Sequence, residues 1–375
     1  MQNTGALPEA ALVEQLTSWV ASQCAARAST APVLQPLGGD AGARRYFRIK
    51  GSSENDSAVE NQMDNAAEDR PDLLAVYAPP ASEDSKTFVQ VADFLRAQCV
   101  KAPRIEAVDY ERGFLLIENL GERLYLSELN EGTVEALYGE ALMTLLRLQQ
   151  SPRGPVDLPP YSREKLMQEM DLFPEWFVRR LMNYQLTASE ELMIKQTFDA
   201  LADSALEQPA CFVHRDYHSR NLIHRPYSSP GVIDFQDAVW GPFTYDLVSL
   251  LRDCYVRWPE ESVRRWALTY ANMAQEVGIA PPDMDAAQFL RWFDLMGLQR
   301  NIKVLGIFAR LALRDGKQRY LHDLPLVMRY LLEVMDAHPP FAAFAEWFRR
   351  EMLPRAREQL WYADYQCAGY SPVEG

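Results

Sequence analysis

The chain has 375 residues, 48% of them hydrophobic and 24% charged, an ordinary globular balance with length enough for two substantial cores. A formal net charge of -14 disfavours nucleic acid or an anionic membrane as a partner, and no uninterrupted apolar run is long enough to span a bilayer. The start carries no basic segment followed by an apolar run, and the five scattered cysteines include no Cys-x-x-Cys pair, so a reducing, cytoplasmic setting is expected, with no obligate protein partner.

Helical spacing comes first, over Ala10–Ala26, with Leu12, Leu16, Trp19 and Val20 on one side. Strands are predicted at Leu34–Leu37 and Arg45–Lys50, joined by a Gly-rich turn from Gly38 to Gly42. The polar, acidic stretch 51–70 reads as a mobile hairpin insertion. Leu73–Tyr77 makes a third strand, stopped by Pro79 and Pro80. A helix over Ser82–Cys99 is expected, with Ser82 as N-cap and Glu83 and Asp84 in its first turn. Ile105–Asp109 and Gly113–Ile117 complete the strands of the first third. Helical patterns then run over Thr133–Gln150, Arg163–Asn183 and Ala188–Glu207. After an interruption they resume over Thr244–Val256, Glu260–Val277, Asp285–Leu313, Leu324–Asp336 and Phe341–Tyr362. The expected fold class is α+β: a small β-rich N-terminal lobe, residues 1–120, and a larger, mostly helical C-terminal lobe, residues 121–375.

The interruption carries the chemistry. Residues 211–224 read Cys-Phe-Val-His-Arg-Asp-Tyr-His-Ser-Arg-Asn-Leu-Ile-His, and Asp234-Phe235 follows a Ser/Pro/Gly-rich turn and a short apolar run. Phosphoryl transfer to a hydroxyl needs these parts in this order. Asp216 would accept the proton of the attacking hydroxyl. Asn221 and Asp234 would hold magnesium, which prefers carboxylate and amide oxygens. Two lobes would hold a nucleotide in a cleft. The Glu118-Asn-Leu-Gly121 hinge could meet its adenine through the backbone, at Glu118 and Leu120.

These residues resemble the aminoglycoside phosphotransferase and choline kinase superfamily, from about Leu34 to the C-terminal helices. Within it, the segments Gly38–Arg48, Ala78–Pro80, Gly113–Ile117 and His214–Leu222 are similar to those of bacterial N-acetylmuramate/N-acetylglucosamine anomeric kinases of cell-wall sugar recycling. The resemblance implies a protein-kinase-like bilobal fold, ATP and Mg2+, and a small amino-sugar acceptor phosphorylated at its anomeric hydroxyl. It matches Asp216 to the catalytic base and Asn221 and Asp234 to the metal ligands. His218 would brace the catalytic loop or touch substrate. Asp246 would cap a helix or bind the catalytic-loop backbone.

Two departures stand out. The third strand, Leu73–Tyr77, lacks the lysine that usually pairs with nucleotide phosphates. Arg44 and Arg45, directly after the Gly-rich turn, are the first candidates to replace it, ahead of Arg48 and Lys86. The metal triplet reads Asp-Phe-Gln rather than Asp-Phe-Gly. For the acceptor, Arg252, Asp253 and Tyr255 are expected near Asp216, with Arg252 meeting the lactyl carboxylate of a muramic sugar. Trp176 and Trp240 are candidate sugar platforms. Alternatives stay open: a kinase for an aminoglycoside, choline or homoserine, or a nucleotide-binding pseudokinase.

Overall fold

The computed structural model describes residues 9–24, 32–38, 43–50 and 72–369. It divides into two compact units, one of Met1–Glu122 with Arg225–Gln236, the other of Arg123–His224 with Asp237–Gly375. The expected insertion 51–70 and most of the Gly-rich turn lie outside the described residues.

In the first unit, helix α1 (Glu9–Cys24) precedes strands β1 (Val33–Pro36), β2 (Arg45–Lys50) and β3 (Leu73–Tyr77). Helix α2 (Ser85–Ala97) and strands β4 (Ile105–Asp109) and β5 (Phe114–Glu118) follow. The strands form one antiparallel sheet in the order β1-β2-β3-β5-β4. The α1 stripe is the predicted one: Leu12, Leu16, Trp19 and Val20 are buried against Phe47, Ala75, Phe114 and Leu116 of the sheet. These positions recur at helical spacing on α1 and bury apolar area against one sheet face.

The N-cap of α2 is Asp84 rather than Ser82. Its carboxylate accepts the backbone N–H groups of Lys86 and Thr87 at 3.0 Å each, and a charged acceptor suits the positive end of the helix dipole. Residues 225–236 belong to this unit, although the expected boundary put everything after 120 in the helical lobe. Their attachment is local and physical. Val232 donates its N–H to the Lys101 carbonyl at 2.8 Å, and the Phe235 ring stacks on Phe88 of α2 at 5.0 Å.

The second unit is mostly helical. It contains α3 (Tyr125–Glu128), α4 (Val134–Gln149), α5 (Arg163–Met170), a π-helical stretch at Phe173–Leu181, and α6 (Ala188–Leu206). Strands β6 (Ala210–Val213) and β7 (Leu222–Ile223) come next; β8 (Gly231–Val232) lies in the segment that belongs to the first unit. Strand β9 (Val239–Pro242) leads into α7 (Thr244–Leu251), α8 (Glu260–Glu276), α9 (Ala286–Asp315) and α10 (Leu324–Ala337). Shorter turns continue through α11 (Ala342–Trp347) and α12 (Leu353–Arg357).

The predicted helix 163–183 changes hydrogen-bond pattern part-way, because Pro174 has no N–H to donate. At its end Met182 donates to the Phe177 carbonyl, five residues back. This stretch lies close to α9, where a side chain at Gly306 would meet the Leu172 carbonyl carbon at 2.4 Å. The helix expected over Thr244–Val256 stops at Leu251, and the one expected over Phe341–Tyr362 is broken into short pieces. Helix α9 is capped by Asp285, which accepts the Gln288 N–H at 2.8 Å, and ends on Gly316 at φ 70°. None of the described helices is long and apolar enough to cross a membrane.

Candidate active site

In the second unit, β6 and β9 pair antiparallel, with Val213 opposite Val239. The chain leaves β6 at His214, which is buried. Asp246, fully buried in the first turn of α7, accepts the backbone N–H of His214 at 2.6 Å and of Arg215 at 3.0 Å. Arg215 sits at φ 78°, a costly conformation for a residue with a side chain. It is held there from both ends, since its guanidinium pairs with Glu169 and donates to the Asp237 carbonyl at 3.3 Å.

Asp216 is next. Its carbonyl accepts the His218 N–H at 3.1 Å and the Asn221 side-chain Nδ2 at 2.9 Å. Asn221 thereby spends its amide nitrogen on the loop and keeps Oδ1 as a hard oxygen donor. Ser219 donates its N–H to Asp253 Oδ2 at 2.9 Å, and its hydroxyl bonds the same oxygen. The loop is thus a small hydrogen-bonded ring with its ends tied to two buried carboxylates.

Asp216 opens onto a pocket of about 80 Å³ that also has His218, Tyr245, Tyr255, Arg300 and Lys303 in its wall. Burial pushes the Asp216 carboxyl up, but the charges of Lys303, His218, Arg215 and Arg300 outweigh it and hold it below the usual carboxylate range. Burial lowers the His218 imidazole against the pull of Asp253 and Asp216. His218 packs edge-on against Tyr255 at 5.4 Å, and its Nδ1 is buried without a partner. Lys303 donates to the Tyr245 hydroxyl at 2.9 Å and pairs with Glu169 at 3.2 Å. An ionised carboxylate in this pocket can accept a proton from a bound hydroxyl.

The first unit holds the other predicted groups. Asp234 lies at φ 64°, and its Oδ1 accepts the side-chain N–H of Gln236 at 2.7 Å. The Gln of the Asp-Phe-Gln triplet is therefore a partner of the carboxylate. Among the described residues no group of three or more His, Cys, Asp or Glu is gathered for a metal. Magnesium commonly takes one or two protein oxygens with the rest from phosphates and water, and in this unit Asp234 carries carboxylate oxygens of that kind.

Arg44 is drawn to Glu83 at 3.1 Å and lies over the Phe88 ring at 4.6 Å. Arg45 is exposed and pairs with Glu9 at 3.5 Å. Burial raises the Tyr46 phenol, Arg44 draws it down, and Asp234 raises it further, so both charges act on this ring. Arg44 is thus the better-fixed of the two arginines, held beside the Phe88–Phe235 stack.

At the predicted hinge, the Glu118 N–H is spent on the Arg104 carbonyl and the Asn119 N–H on the Asp72 carbonyl, each at 2.8 Å. The Gly121 N–H goes to the Asn119 side chain at 3.0 Å. Leu120 is buried, and its N–H has no partner among the described residues. The Glu118 carboxylate ties Lys101, Arg96 and the Arg104 N–H together, so its side chain is structural and only its backbone is available for a base.

Two acceptor-site expectations change. Arg252 ends α7 with its guanidinium on Asp294 at 2.8 Å and Glu260 at 3.0 Å, and it is no part of the Asp216 pocket wall. Two carboxylates already neutralise it, although its Nη1 is buried without a partner, so a substrate carboxylate would add a third negative charge to one cation. Asp253 braces Ser219 and accepts the Tyr255 N–H at 3.1 Å. Trp176 lies under Arg180 at 4.0 Å, and Trp240 is buried in β9. Neither reaches the pocket wall, where the aromatic groups are Tyr245, Tyr255 and Phe308.

Sequence reasoning missed Arg300 and Lys303. The signal was there: Leu298-Gln-Arg-Asn-Ile-Lys-Val-Leu305 puts two cations into an apolar helix with no acid three or four residues from either.

A phosphotransferase enzyme family model matches residues 33–290. The chain belongs to that family. An N-acetylmuramate/N-acetylglucosamine kinase from Pseudomonas putida is 38% identical over 341 residues, 89% of this chain and 95% of its own. The enzyme of the same name from Pseudomonas aeruginosa is 42% identical over 315 residues, 84% of this chain and 87% of its own. Among solved structures, ADP-bound aminoglycoside phosphotransferase APH(2'')-Ib matches with a TM-score of 0.53 at 17% identity, over 87% of this chain and 99% of its own. Choline kinase from Cryptosporidium parvum matches with a TM-score of 0.58 at 13% identity, over 89% of this chain and 99% of its own. The phosphotransferase fold is accordingly kinase-like, with a small antiparallel sheet and a larger helical part.

Proposed function

We propose that this phosphotransferase uses ATP and magnesium to phosphorylate the anomeric hydroxyl of an amino sugar of the N-acetylmuramate/N-acetylglucosamine type, in cell-wall sugar recycling. The observation that carries the reading is Asp216, a carboxylate kept ionised in a cationic pocket and fixed through its own carbonyl by Asn221. The names of the relatives support the acceptor class.

The chemistry asks for positioning and electrostatics rather than a covalent intermediate. Asp216 accepts the proton of the anomeric hydroxyl as that oxygen bonds to the terminal phosphorus and ADP leaves. Asn221 Oδ1 and the Asp234 carboxylate would hold magnesium, which when bound neutralises charge on the phosphates. Arg44, held by Glu83, supplies the cation that β3 lacks. The Leu120 N–H would donate to an adenine edge, and the Glu118 carbonyl would be the matching acceptor. His218 stands beside Asp216 in the acceptor pocket. A strongly cationic acceptor such as an aminoglycoside or choline is disfavoured by Arg300 and Lys303 in the same wall.

The test is phosphorus NMR of the protein with magnesium-ATP and separate N-acetylmuramate, N-acetylglucosamine and aminoglycoside. A new phosphorus signal coupled to the anomeric proton is expected with the amino sugars. A product on another hydroxyl would reject the anomeric assignment, and turnover of the aminoglycoside alone would reject the acceptor class.

A further inference from the structure

Three cations are buried in the second unit among the described residues: Arg252, Arg300 and Lys303, exposed by 6%, 4% and 6%. Arg252 meets Asp294 and Glu260, and Lys303 meets Glu169. The Arg300 side chain meets no carboxylate within ion-pair distance among the described residues, and its Nη1 is buried without a partner. A guanidinium carries five N–H donors in a planar fork. Burying the guanidinium with its Nη1 donors unmade is costly unless something else fills them. The charges of Asp253 and Asp216 act on it from beyond contact, which compensates the charge but leaves the donors unused.

Arg300 lies in the wall of the pocket that holds Asp216, His218 and Tyr255. It is on the middle of α9, a thirty-residue helix capped at both ends, so its place is set by a rigid element rather than by a loop. One helical turn on, Lys303 adds a second positive charge to the same wall while its own bonds are taken by Glu169 and Tyr245. An acidic group in this pocket would meet a guanidinium with no carboxylate of its own, in a field already biased toward anions.

We infer that Arg300 is the residue that recognises a carboxylate on the acceptor, so that the pocket selects an acidic amino sugar, one bearing a lactyl ether, over its neutral analogue. The inference rests on the proposed reading of Asp216 as the base that faces the acceptor. It replaces Arg252 in the role expected from the sequence. Arg300 is a binding residue here, and the neutral sugar lacks the group that it meets.

The test compares N-acetylmuramate, its lactyl amide and N-acetylglucosamine with the wild-type chain and with Arg300→Gln and Arg300→Lys. Removing one partner of a buried charged hydrogen bond commonly lowers affinity by roughly 30-fold or more. Arg300→Gln should therefore raise KM for N-acetylmuramate by about that factor beyond any change it makes with N-acetylglucosamine, because an effect through the Asp216 charge is common to both sugars. Arg300→Lys should recover part of the loss. The lactyl amide reads the same contact from the substrate side and needs no variant: the wild-type chain should handle it about as poorly as Arg300→Gln handles the acid. Equal losses on the acidic and neutral sugars, or a wild-type chain indifferent to the amide, would overturn the assignment. A wild-type chain inactive on all of these sugars would instead overturn the acceptor class itself.

Discussion

Ser219 donates its backbone N–H and bonds its hydroxyl to a single oxygen of Asp253, so this end of the catalytic loop is tied to one buried carboxylate just past the C-terminus of α7. Asp253→Ala would leave the Ser219 N–H and hydroxyl and the Tyr255 N–H without that acceptor. Each unsatisfied buried group costs on the order of 1–3 kcal/mol, so a loss of about 3 kcal/mol or more is expected in urea unfolding. Ser219→Ala keeps the N–H bond and should cost only about 1 kcal/mol. Similar values for the two variants would mean that Asp253 does not anchor the loop.

Asp216→Asn should lower kcat by roughly 10²–10⁴-fold, the usual range for a general base, with ADP affinity by calorimetry unchanged. Because the Asp216 carboxyl is held below its ordinary value of 3.8, it stays ionised as pH falls to about 4 and no acid limb from it belongs above that pH. An acid limb near pH 6 that vanishes in the variant would contradict the electrostatics described above.

Asp246 behaves in the opposite sense. Burial pushes its carboxyl up to about 7, against two backbone N–H donors and with the Asp216 charge adding to the push. A raised carboxyl pKa stabilises the folded chain fully below the unfolded value, and that contribution is lost as pH rises toward the folded value. Between pH 4 and 7 the wild type should therefore lose stability with rising pH relative to Asp246→Asn, and the difference should level off above 7. Parallel stability curves for the two proteins would show that Asp246 is ionised throughout.

Glu169 takes Arg215, Lys303 and the Tyr161 hydroxyl on one buried carboxylate. Burial raises this carboxyl, but the charges of Lys303 and Arg215 outweigh it and hold it low. Glu169→Gln keeps the shape and takes the carboxylate from the buried Lys303 and the partly buried Arg215, which should cost about 3 kcal/mol in chemical denaturation. A change under about 1 kcal/mol would mean the cations find solvent or another partner.

Much of the fold was legible because its signals are local. The α1 stripe, the five strands of the first unit and the start of α9 follow from apolar spacing close together in the chain. The cap of α2 was misjudged by two residues, since Ser82 and Asp84 both suit a helix start and only the backbone path selects Asp84. The π-helical stretch after Phe173 was missed because a shift from four-residue to five-residue bonding leaves the apolar period nearly unchanged.

The amino-acid sequence alone determined the reaction class, because Asp216, Asn221 and Asp234 stand at spacings that phosphoryl transfer requires and that a single loop and turn can satisfy. It also determined the absence of a lysine from β3. Only the tertiary structure decided which arginine is committed and which is open. Arg252 and Arg300 look alike in sequence, and each lies in an apolar helical context. Arg252 finds Asp294 and Glu260, 42 and 8 residues away in the chain, while the Arg300 side chain, in the wall of the Asp216 pocket, finds no carboxylate within ion-pair distance among the described residues. A charge's partner is set by distance in space, and the packing of α7 against α9 fixes that distance.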